Sequence, residues 1–174
     1  KVFGDFPGTV PYIKNISSQA SWFEISPTGK RGLFEARGDV FTVPAENGEI
    51  LNITQTQGIR EIDPVWSPDG KWIAYLSDRT GEYELFMRSS DGKGDEKQIT
   101  DDGTIWRFPP IWSPDSKKLV FSDKNQKLWY VDVNNGNTIE VDHSEYNDIT
   151  DYQWSPDSKW ITYTKGSASR MSSV

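Results

Sequence analysis

The chain has 174 residues, 26 acidic against 19 basic side chains, and a formal net charge of −7. That balance leaves no clustered basic surface for a phosphate backbone, so nucleic acid is not an expected partner. With no cysteine and a single histidine, His143, disulfides, thiolate metal sites, cysteine nucleophiles and two-imidazole sites are excluded.

No run of 18 apolar residues occurs, so no membrane span is expected, and residues 1–19 lack the apolar core of a signal peptide. Eight Trp, seven Tyr and eight Phe stand in a chain of mean hydropathy −0.69, so the aromatic side chains must be concentrated at particular positions.

After a lead-in over residues 1–20, the motif ISPTG opens at 25–29 and recurs as WSPDG at 66–70, WSPDS at 112–116 and WSPDS at 154–158. Its prolines Pro27, Pro68, Pro114 and Pro156 are 41, 46 and 42 residues apart. A period of about 40–45 residues is the spacing of a β-propeller blade. Pro fixes φ at the second turn position in all four copies, Asp suits the third in three of them, and Gly the fourth in the copies at 25–29 and 66–70.

The strands follow in chain order. The first unit reads GLFEA (32–36), DVFTV (39–43) and ILNIT (50–54). The second reads DPVW (63–66), KWIAYLS (71–77), ELFMR (84–88) and KQIT (97–100). The third reads PPIW (109–112), KKLVFSD (117–123), KLWYVDV (127–133) and TIEVD (138–142). The fourth begins with DYQW (151–154) and KWITYTK (159–165), and aligns MSSV (171–174) with the opening of a third strand. These segments are rich in β-branched and aromatic residues, and no window of ten or more shows a 3.6-residue period.

The predicted fold is all-β: a partial β-propeller of about three and a half four-stranded antiparallel blades, opening near residues 21, 63, 109 and 151, the last truncated. Propellers close with about four to eight blades, so the arc is expected to be a piece of a longer protein, with self-association through its open faces as a further expectation. Trp66, Trp112 and Trp154, beside Pro68, Pro114 and Pro156, are expected to pack between blades.

Chemistry is sparse. His143 follows a strand in a polar loop, and Ser67, Ser113 and Ser155 recur in every turn, which marks repeat structure rather than a single nucleophile. DVNNGN (132–137) lacks the acidic twelfth residue of a calcium loop, and Asp91, Asp95, Asp101 and Asp102 read as solvated turns. No catalytic residue, metal site or cofactor is expected. The loops that carry the chain between blades differ from one another: GIREI (58–62), DGTIWRF (102–108) and SEYNDITD (144–151). In a propeller they gather at one mouth of the channel. Arg60, Glu61, Trp106, Arg107, Phe108, Tyr146, Asp148 and Asp151 are therefore the candidate peptide contacts.

DPVWSPDGKWIAYLSDRTGEYEL (63–85) resembles the repeats of the Tol-system propeller protein, of dipeptidyl-peptidase-like enzymes and of tricorn protease. ISPTGKRGLFEARGDVFTVPAENGEILNIT (25–54) resembles more narrowly the start of the second, seven-bladed propeller of tricorn-type serine peptidases, and residues 2–17 resemble the crossing from a preceding propeller. The tricorn resemblance implies a parent that trims oligopeptides, with its catalytic Ser, His and acidic residues far downstream. The arc would then be a non-catalytic part of a channel or gate, with oligopeptide substrates and other domains of the same chain as partners. It favours the cytoplasm and leaves the periplasm open. Two alternatives stand: a protein-interaction propeller of the Tol type, and the propeller of a dipeptidyl-peptidase-like hydrolase.

Overall fold

The computed structural model describes residues 15, 17–168 and 172–173; most of the lead-in over residues 1–20 lies outside these. A single turn of 3-10 helix, Ser17–Gln19, precedes the strands, and no α-helix occurs among the described residues. The first sheet pairs β1 (Ala20–Ile25), β2 (Arg31–Ala36), β3 (Asp39–Pro44) and β4 (Leu51–Asn52) in that order, all antiparallel. The second pairs β5 (Glu61–Trp66), β6 (Trp72–Ser77), β7 (Glu84–Ser89) and β8 (Lys97–Gln98). The third pairs β9 (Ile111–Trp112), β10 (Lys118–Ser122), β11 (Lys127–Asp132) and β12 (Thr138–His143).

A two-stranded sheet of β13 (Tyr152–Trp154) and β14 (Ile161–Tyr163) follows, and then β15 (Lys165–Gly166) paired with β16 (Ser172–Ser173). The single strand expected over 159–165 is thus divided at Thr164, whose N–H donates to Asp151 O at 3.0 Å.

Three other strands are shorter than their sequences suggest, for local reasons. Asn52 Oδ1 accepts the N–H groups of Thr54 and Gln55, so the backbone turns away after two ladder residues. Thr54 Oγ1 then accepts the Val40 N–H at 3.2 Å, and Thr100 Oγ1 accepts that of Leu85 at 2.9 Å, side chains standing in for the fourth strand. Pro109 and Pro110 carry no N–H, which confines β9 to Ile111 and Trp112.

Strand β5 touches both β1 and β9, and β9 touches β13, so the first strands of successive sheets lie side by side along the inside of the arc. Because each middle sheet is covered on both faces, its second strand carries an unbroken apolar run, residues 72–76 in β6 and 119–121 in β10, and in β6 only Trp72 is less than buried. Leu33, Val40 and Ile53 of the first sheet meet Trp66, Ile73, Tyr75 and Phe86 of the second. A larger cluster joins Ile62, Leu76, Leu85 and Ile99 to Trp112, Leu119, Phe121 and Val131. Val120 and Leu128 meet Ile149 and Tyr152 at the third junction, with Trp154 partly buried against them.

The repeated turn is closed by its own side chains. Ser67 Oγ donates to Asp69 Oδ1 at 2.6 Å and accepts the Trp72 N–H at 2.9 Å, while Asp69 Oδ1 also accepts the Lys71 N–H. Ser113 with Asp115 and Ser155 with Asp157 repeat the pattern at 2.6 Å. Ser67 and Ser113 are fully buried in this role. The next residue of the motif takes a left-handed backbone in every copy, with φ of 70° at Gly29, 72° at Gly70 and 59° at both Ser116 and Ser158.

Candidate functional site

The loops between sheets and the β2–β3-type hairpins share one side of the arc, opposite the proline turns. Lys124, in the β10–β11 hairpin, demonstrates this. Its N–H donates to Trp106 O at 3.0 Å, its ammonium lies 4.6 Å from the Phe108 ring centre, and its Nζ is 2.6 Å from Asp148 Oδ2. One lysine therefore joins the 102–108 loop to the 144–151 loop. Trp106, 41% exposed, packs edge-on against Tyr83 at 4.7 Å between ring centres. The backbone N–H of exposed Arg60 donates to Asp78 Oδ1 at 2.8 Å. Along this side Lys124 thus gathers Trp106, Phe108 and Asp148, with Tyr83 buried beneath Trp106. Tyr146 projects with 55% exposure, and Asp151 accepts from Thr164 Oγ1 at 3.0 Å.

Glu61 and Arg107 are placed differently from the other candidates. Glu61 has no exposed surface; it accepts from Thr56 Oγ1 and pairs with Arg79 at 3.1 Å. Arg107 is 3% exposed, pairs with Glu84 at 3.0 Å and with Asp102, and donates to Tyr83 O at 2.6 Å. Both charges are consumed inside the sheet stack, because an unpaired buried ion is far more expensive than a paired one. Of the eight candidate peptide contacts, these two are buried. Lys124, in a short polar hairpin that carries no local sequence signal, is the residue that joins these loops.

Inside the arc, β5 bulges between Ile62 and Val65, and Asp63 takes φ 51° there. Its N–H donates to Glu35 Oε2 at 3.3 Å. Burial and the neighbouring Glu35 charge push the Asp63 carboxyl up to about 6. His143 is exposed and sits 3.9 Å from Glu140. Among the described residues no group of three or more His, Cys, Asp or Glu side chains is placed to hold a metal ion, and no helix is long and apolar enough to cross a membrane.

Residues 20–174 match the family described as the Tricorn protease second beta propeller domain. A protein from Sulfurisphaera tokodaii described as a Tricorn-like protease C-terminal subunit is 32% identical over 129 residues, which are 74% of this chain and 14% of that protein. The crystal structure of the tricorn protease superposes with a TM-score of 0.74 at 19% identity, over 86% of this chain and 14% of that one. TolB from Acinetobacter baumannii superposes with a TM-score of 0.69 at 19% identity, over 88% of this chain and 39% of the other. The chain thus spans a small part of the tricorn relatives it matches, and the structural likenesses establish the propeller fold.

Proposed function

Because the chain belongs to the family of tricorn protease second β-propeller domains, we propose that it forms part of a channel or gate through which oligopeptides reach a serine peptidase centre elsewhere in the parent protein. The observation that carries this reading is the short row of Trp106, Lys124, Phe108 and Asp148, in which one lysine joins two inter-sheet loops into a surface of mixed charge and aromatic rings. Such a row offers a peptide both ring faces and ionic partners without selecting one sequence. The buried serines and the exposed His143 lie in separate roles, in keeping with chemistry performed by other domains. On this reading the parent acts in the cytoplasm, with oligopeptides and its own other domains as partners.

A photo-crosslinking residue in place of Tyr146 in the full-length protein tests the assignment. Capture of a long peptide, competed by unlabelled peptide, is expected. Capture only of a folded protein partner would favour the Tol-type alternative, an interaction propeller, and would reject the channel.

A further inference from the structure

Two contacts recur at the second and third junctions and are missing at the first, where the pairing of charges differs as well. The indole N–H of Trp112 donates to Val65 O at 3.3 Å, and that of Trp154 to Ile111 O at 3.1 Å. Trp66 holds the same motif position, yet its Nε1 is buried with no partner. Likewise the Asp69 N–H donates to Ser116 Oγ and the Asp115 N–H to Ser158 Oγ, each at 3.0 Å, latching each proline turn to the next. The corresponding residue at the first junction is Gly70, which has no hydroxyl to offer the turn at 25–29. A cleft of about 330 Å³ lies there instead, lined by Pro27, Leu51, Trp66 and Gly70.

The third difference is charge. Across the second junction Glu84 meets Arg107. Across the first, acids face acids: Glu35 lies opposite Asp63, and Asp39 opposite Glu61. Glu24 of β1 accepts the Trp66 N–H at 2.7 Å. Glu61 and Glu96 share the single guanidinium of Arg79, and Tyr75 OH also bonds Glu96. Arg60, Arg79 and Arg88 are the cations near these acids, Arg88 donating to Ile53 O at 2.6 Å, while Lys30 and Arg31 line the cleft together with Asp69 and Asp91; Asp78 and Tyr83 lie beside Arg60 and Asp63, and Tyr152 of β13 lies near Asp63. The apolar cluster around Trp66 and the Glu61 N–H to Gly38 O bond at 2.7 Å keep the two sheets joined.

We propose that the first junction is a pH-responsive seam, closed while the facing acids Glu35 and Asp63 hold a proton between them and loosened as both ionise, while the second junction stays shut. Burial and the neighbouring Glu61 charge push the Glu96 carboxyl up to about 7, and Asp63 stands at about 6; burial also raises Glu24 and Glu61. A raised folded-state value favours the closed form below the ordinary carboxylate range and withdraws that support as pH rises through 6 and 7. The seam does not depend on what passes along the channel.

Hydrogen exchange of the intact protein, corrected for intrinsic chemical rates, tests it at about pH 5.5 and pH 8.0. Protection over residues 59–66 is expected to fall about tenfold at the higher pH while residues 111–121 hold theirs, tenfold being the effect of one unit of carboxyl shift. Gly70→Ser, which supplies the missing hydroxyl, is expected to reduce the fall, and Asp63→Asn with Glu96→Gln to abolish it. Equal protection over 59–66 at both pH values, or an equal loss in both segments, would overturn the seam, and the unmodified protein alone decides between these results.

Discussion

Arg107 and Glu84 form an ion pair at 3.0 Å across the junction of the second and third sheets, with 3% and 0% of their side chains exposed. The two residues are contributed by different repeats, so the pair locks neighbours rather than stabilising one sheet. Thr100 Oγ1 and the Gly103 N–H also bond the Glu84 carboxylate, which leaves it well satisfied while Arg107 is present.

Removing one partner strands the other. Arg107→Ala is expected to lower stability by about 3–5 kcal/mol in urea melts, because a buried carboxylate is left without its cation. Adding Glu84→Gln to that variant is expected to recover part of the loss. A loss below about 1 kcal/mol for the single variant would show that the pair is not buried in solution.

The tryptophans of the repeated turn make a parallel prediction. Trp112 is 6% exposed and sits in the largest apolar cluster, so Trp112→Ala is expected to cost about 3–5 kcal/mol. Trp66→Ala is expected to fall in the same range of about 3–5 kcal/mol, since its ring is buried to the same degree. Denaturant midpoints for both variants check this.

Ser116→Ala isolates the latch between turns. The substitution keeps a β-carbon at φ 59° and removes the oxygen that receives the Asp69 N–H. A loss of about 0.5–1.5 kcal/mol is expected, the net value of one hydrogen bond. Ser116→Gly is expected to cost less, because glycine relieves the left-handed backbone.

Stability should peak in mildly acidic solution. The turn carboxylates Asp69, Asp115 and Asp157 and the Lys165 partner Asp142 are held below their ordinary values. At Asp91 and Asp157 the serine hydroxyl is the leading cause; at Asp69, Asp115 and Asp142 hydrogen bonds outweigh a burial effect of opposite sign. Their support is present above the ordinary aspartate range and is lost as pH falls through the lowered values. Asp63 and Glu96 act oppositely, losing support as pH rises through about 6 and about 7. The melting temperature is therefore expected to be highest near about pH 5 and to decline on both sides. A monotonic rise from pH 4 to 8 would contradict this assignment.

The repeat made the fold legible because two signals coincided: a proline turn at near-constant spacing and, after each, a strand apolar on both faces. Strands β6 and β10 lie close to their sequence bounds for that reason. The ends of β4 and β8 were not legible, since Thr54 and Thr100 replace ladder bonds with hydroxyl bonds that no strand propensity records. At the candidate site, the loop residues Trp106, Phe108 and Asp148 lie together, joined by Lys124. Loop membership did not reveal that Arg107 is buried, since its partner Glu84 lies on the preceding sheet and 23 positions earlier in the chain. Non-local pairing of that kind leaves no mark in a local window.

The most direct test of the channel is peptide cleavage by the full-length protein carrying Arg60→Ala with Trp106→Ala, both exposed in the arc. The account predicts that kcat/KM for peptides of about ten residues falls at least threefold, the order of one lost peptide contact, while cleavage of a two-residue chromogenic substrate is unchanged. Equal rates for the variant and the unmodified protein on the long peptide, or an equal fall on both substrates, would contradict it.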